Sequence, residues 1–126
     1  MTSEARRRRI GDRMLEELAE ILLRQVDDPR LAGLTVTGVE VDRELAYATV
    51  HVTAVGDGER QREILQALIR ARGFFRTALA QRIPLRSFPQ LRFRWDASAE
   101  QGARIDDLLQ QLQRPAGETT DDADAG

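Results

Sequence analysis

Apolar residues at Ile10, Met14, Leu18, Ile21 and Leu22 recur at i, i+4, i+8, i+11 and i+12, the spacing of one helix face. This predicts a helix from about residue 3 to residue 26. It must stop before Asp27-Asp28-Pro29, because the residue preceding a proline is pushed out of helical geometry. The period then changes to two. Leu34 and Val36 share one parity and Val39 and Val41 the other, so a strand over residues 34–41 needs one extra residue near Gly38, most cheaply as a β-bulge. After a polar connection at 42–45, Ala46, Ala48, Val50, Val52 and Ala54 alternate with Tyr47, Thr49, His51 and Thr53 as a second strand. The two strands form a hairpin. The small side chains at Ala46 and Ala48 predict a helix packed closely on that face.

Residues 61–95 read as two helical pieces followed by a strand. In one unbroken helix the stripe Leu65, Leu68, Ile69, Leu79 and Ile83 would include Arg72 and Arg76, at i+7 and i+11 from Leu65. Burying unpaired guanidinium groups is too costly for that. A kink at Ala71-Arg72-Gly73 removes the conflict, and Gly73 is the expected pivot because glycine disfavours helix interiors by about 1 kcal/mol. Phe75, Ala78, Leu79 and Ile83 then form a second short face, and Pro84 ends it. Leu91, Phe93 and Trp95 alternate with Arg92 and Arg94 as a half-buried strand with a basic outer face. Beyond it, Ser98 and Gln101 have capping-box spacing, and Ile105, Leu108, Leu109 and Leu112 predict a short amphipathic helix.

The whole is an α+β pattern at 126 residues, one domain over residues 1–114. Residues 115–126 carry Glu118, Asp121, Asp122 and Asp124, no base and no apolar periodicity, and are expected to form a disordered acidic tail. Charge changes the picture because it is segregated. The net charge of −2 hides a stretch from Arg60 to Trp95 with nine arginines and a single acid, Glu63. Every basic residue of the chain is arginine; there is no lysine. No cysteine is present and His51 is the single histidine, so neither a disulfide framework nor a thiolate or imidazole-rich metal site is available. No apolar run approaches the ~18 residues of a membrane span, and Arg6 to Arg9 are not followed by the apolar core of a signal peptide. A soluble, unexported protein without cofactor or metal is expected.

Arg70, Arg72, Arg76, Arg82, Arg86, Arg92 and Arg94 are candidates for phosphate binding, since arginine is always charged and its planar fork matches phosphate oxygens. The plainer reading is a solvated face. The near absence of acids among them favours RNA contact, with Arg72 foremost because the kink exposes it. Arg6, Arg7, Arg8 and Arg9 point to every side of the first helical turn and so cannot all be solvated opposite a core. That turn is expected to project toward something anionic, although an arginine-rich terminus can simply be solubilising. Of Phe74, Phe75, Phe88, Phe93 and Trp95, whose spacing suits core packing, Phe74 alone is expected to be exposed. A lone strand histidine such as His51 is more often structural than catalytic, and Asp27-Asp28 and Asp106-Asp107 lack a partner for acid–base work.

The order helix, strand, strand, helix, kink, helix, strand resembles a type II KH domain, an RNA-binding fold that normally carries a GxxG loop between its central helices. No GxxG occurs anywhere in this chain. Ala71-Arg72-Gly73 stands in its place. Together with Asp28-Pro29-Arg30-Leu31, Leu34-Thr35-Val36-Thr37, Pro89-x-Leu91-x-Phe93 and Asp96-x-Ser98-x-Glu100-x-Gly102, this resembles the bacterial ribosome-binding factor A family over about residues 4–112. The resemblance implies a non-enzymatic factor that binds the free small (30S) ribosomal subunit and assists late maturation of 16S rRNA. A cytoplasmic monomer is expected, with the arginines named above as its RNA contacts. A basic protein-interaction module, or another KH-type RNA-binding protein, is the alternative.

Overall fold

A computed structural model describes residues 2–98. Helix α1 spans Glu4–Arg24, strand β1 Thr35–Val41, strand β2 Tyr47–Thr53, helix α2 Gly58–Arg70, helix α3 Arg72–Arg82 and strand β3 Gln90–Trp95. A single 3-10 turn, Pro29–Leu31, links α1 to β1. The expected α+β order is the order observed. The helix predicted around Ile105–Leu112 and the acidic tail lie outside the described residues.

Local chemistry sets the boundaries. Ser3 caps α1, its Oγ accepting from the Arg6 N–H at 3.1 Å, and Asp57 caps α2 by accepting from the Arg60 N–H at 3.0 Å. Asp28 caps the 3-10 turn in the same way through the Arg30 N–H. At the far end of α3, Ile83 is already extended, as Pro84 requires.

The sheet runs in the order β1-β2-β3, with β1 antiparallel and β3 parallel to β2. The predicted bulge is present. Val36 faces Val52 and Gly38 faces His51, which leaves Thr37 as the extra residue. Its hydroxyl donates to Asp96 Oδ2 at 2.6 Å, so the bulge also ties β1 to the end of β3. One face of the sheet carries Val41, Ala48, Val50, Val52 and Leu91. It buries them against Ile10, Met14, Leu18 and Ile21 of α1, Ile64 and Leu68 of α2, and Phe75 and Leu79 of α3.

Two expectations need correction. Close helix–sheet approach occurs between α1 and β1 rather than over Ala46: a side chain at Gly11 would place its Cβ 2.4 Å from the Val39 carbonyl oxygen. Ala48 is buried as expected, but Ala46 is exposed just ahead of β2. The inter-helix break falls at Ala71 (φ −90°, ψ 7°), while Gly73 lies inside α3 with space around it and without a positive φ. Ala71 ends α2 and opens α3 at once: its N–H bonds the Ala67 carbonyl and its own carbonyl accepts from Phe75.

Candidate nucleic-acid interface

The break at Ala71 exposes what the helical pattern could not bury. Arg70 is the last residue of α2 and Arg72 the first of α3, and both are exposed. Ile69 and Phe74 flank them with 49% and 47% of their surface open to solvent. Phe74 packs edge-on against Phe75 at 5.5 Å, and Phe75 against Phe93 at 6.3 Å, so the exposed ring is seated on the core.

Arg92 and Arg94 lie on the outer face of the sheet because Leu91, Phe93 and Trp95 take the inner one. The Arg92 guanidinium carbon sits 3.5 Å above the centroid of the Tyr47 ring, a cation–π contact. Across β2, His51 Nε2 lies 2.7 Å from Glu40 Oε1. That face thus carries two arginines, a tyrosine and a histidine paired to the acid beside it.

A third basic region joins the chain's first turns to the α3–β3 connection. Arg6, Arg9, Ile10 and Arg13 face Ile83, Pro84 and Leu85 across a groove of about 280 Å³, and the exposed Arg86 follows Leu85 in sequence. Of the four N-terminal arginines, Arg6, Arg8 and Arg9 are exposed, and Arg8 stands 3.7 Å from Glu4. Arg7 is half-buried. Its Nε is shut off from solvent and lacks a hydrogen-bond partner among the described residues, in a groove with Glu4, Asp12 and Val39–Val41.

Two candidate phosphate ligands already have partners within the chain. Arg76, expected to be free, donates from Nε to the Pro89 carbonyl at 3.1 Å and from Nη2 to the Phe88 carbonyl at 2.6 Å. Arg82 reaches across to α1, with Nη1 2.8 Å from Glu17 Oε2 and 3.7 Å from Glu20 Oε1. The hydrogen bond from Arg82, with a further one from Arg13, holds the Glu17 carboxyl below the usual glutamate range. Periodicity placed both arginines on the helix correctly; their partners lie elsewhere in the chain and leave no local signal. Among the described residues Arg70, Arg72, Arg86 and Arg94 have no acid within ion-pair distance, whereas Arg13, Arg24 and Arg30 each do. Tyr47 was the residue that sequence reasoning passed over. Strict alternation in β2 put it on the same outer face as Arg92.

No group of three or more His, Cys, Asp or Glu side chains among the described residues is arranged to hold a metal ion. None of the described helices is long and apolar enough to cross a membrane. The surfaces present cations, planar donors and exposed rings, a chemistry suited to a polyanion with accessible bases.

Known proteins resemble the chain in sequence and fold. The sequence profile described as ribosome-binding factor A matches residues 6–109. The crystal structure of ribosome-binding factor A from Thermus thermophilus is similar at 31% identity and a TM-score of 0.64, over 71% of this chain and 93% of that one. The solution structure of a putative ribosome-binding factor A from Thermotoga maritima is similar at 34% identity and a TM-score of 0.65, over 75% and 90%. A homology model of the Thermus thermophilus protein, fitted into the cryo-EM map of its complex with the 30S subunit, is similar at 32% identity and a TM-score of 0.58, over 69% and 91%.

Proposed function

The chain belongs to the ribosome-binding factor A family, and from that premise we propose that it is a non-enzymatic assembly factor. It binds the free small ribosomal subunit and assists late maturation of 16S rRNA in the cytoplasm, as a monomer. The observation that carries this reading is that Arg70, Arg72, Arg86 and Arg94 are exposed and have no acidic partner among the described residues. An arginine left unpaired on a surface is available to a phosphate; one already committed to a carboxylate must give that up first. Arg92, Arg6 and Arg9 extend the surface, and Arg76 and Arg82 serve the fold that presents it. Support also comes from the related Thermus thermophilus protein, which has been placed in a 30S complex.

Tagged protein recovered from lysate tests the proposal. It should bring down free small subunits and their 16S rRNA, in a complex that ribonuclease destroys. Depleting the protein should leave 16S rRNA with unprocessed ends. Recovery of an acidic protein in a nuclease-resistant complex, without the subunit, would overturn it.

A further inference from the structure

We infer that the outer face of the sheet is a stacking platform for an unpaired RNA strand, organised on Tyr47 and Arg92. This rests on the reading of the chain as an RNA-binding factor and names the form of RNA that this face takes. Helices α1, α2 and α3 all contribute to the core on the inner face, so Tyr47, Thr49, His51, Thr53, Arg92 and Arg94 stand on the other. Tyr47 is 41% exposed although tyrosine is a large ring. Arg92 lies on one face of the ring at 3.5 Å. A guanidinium stacked on one side still offers its other plane, and bases stack on both guanidinium planes and aromatic rings. Arg94, beside His51 in the parallel register, is in position to receive the adjoining phosphate.

Stacking, more than charge, selects the occupant. The strands of the face carry two arginines, Arg92 and Arg94, against one acid, Glu40, which lies 2.7 Å from His51. Asp96, at the edge, accepts from Thr37. A duplex hides the faces of its bases, so a double-stranded helix cannot use the stack, whereas a single strand can.

The test uses the full chain, a short labelled oligouridylate, an RNA duplex of similar length, and isolated small subunits. Tyr47→Ala should weaken oligouridylate binding by about five-fold to a hundred-fold, the range for loss of one base–aromatic stack. The slope of log K against log salt should not change, because no charge is removed. Tyr47→Phe should bind as the unmodified protein does. Arg92→Lys keeps the charge but loses the plane, and should lower affinity with the slope retained; Arg94→Gln should reduce the slope by about 0.7. Duplex binding should be indifferent to Tyr47→Ala. Oligouridylate binding that is unaffected by Tyr47→Ala overturns the platform, and so does an equal loss on a polyglutamate probe, which would make the face a protein-docking surface. Subunit binding by the unmodified protein reads the underlying proposal separately: if it is present while the stack fails, the platform alone is lost.

Discussion

Replacing Arg76 by methionine separates arginines that build the fold from arginines left for a ligand. Its guanidinium bonds two backbone carbonyls, Pro89 at 3.1 Å and Phe88 at 2.6 Å, which lie where the chain enters β3. Methionine keeps most of the apolar stem, so the loss reports the polar head. Hydrogen bonds from a charged donor contribute about 1.5–3 kcal/mol each, and the two here share one part-buried group, which places the expected cost at about 2–3 kcal/mol. In a domain of this size that corresponds to a fall in Tm of about 7–12 °C. The parallel substitution Arg72→Met, at an exposed position on the same helix, should stay within about 0.5 kcal/mol. Urea unfolding followed by circular dichroism measures both. An Arg76→Met variant as stable as the unmodified protein would refute the assignment of Arg76 to the scaffold and return it to the list of phosphate ligands.

Other substitutions probe the backbone and the acid limb. Gly11→Ala should destabilise by about 1–3 kcal/mol in the same assay, since its Cβ would meet the Val39 carbonyl oxygen at 2.4 Å and neither backbone can easily give way. Gly73→Ala should stabilise by about 0.4–1 kcal/mol, because the residue is helical and unobstructed; a loss would show that glycine is needed there after all. Glu17 has a lowered pKa in the folded state, so its pairing contributes stability above the ordinary glutamate value and loses it as pH falls through the lowered one. Arg82→Met removes the leading cause of that shift. Unfolding measured from pH 7 to pH 2 should therefore show a shallower acid limb for the variant, converging on the unmodified protein at the lowest pH, and parallel curves would contradict the pairing.

Much of the fold was legible because burial imposes a period on the chain. Ile10, Met14, Leu18 and Ile21 announced α1 and are buried together. The parity change between Val36 and Val39 announced the bulge at Thr37. Glycine misled at the helix break: local propensity pointed to Gly73, while the turn is made by an ordinary αα junction at Ala71 that leaves no breaker in the sequence. Within the candidate site, exposure of Arg72 and Phe74 followed from the conflict in the helical stripe. The commitment of Arg82 to Glu17 could not be read, because those residues are 65 positions apart and meet through the packing of α3 beside α1. Arg76 was equally opaque, since backbone carbonyls carry no residue-specific signal.

The central claim is that exposed, unpaired arginines meet phosphates on the small subunit, and the salt dependence of binding tests it most directly. Each neutralised phosphate contributes about 0.7–0.9 to the slope of log K against log salt. Replacing Arg70, Arg72 and Arg94 together by glutamine should lower the magnitude of that slope by about 2–3, with folding stability nearly unchanged. Arg30→Gln is the control, because Arg30 is already paired with Asp28 at 2.8 Å and should leave the slope alone. A triple variant that binds the subunit with the salt slope of the unmodified protein would contradict the account.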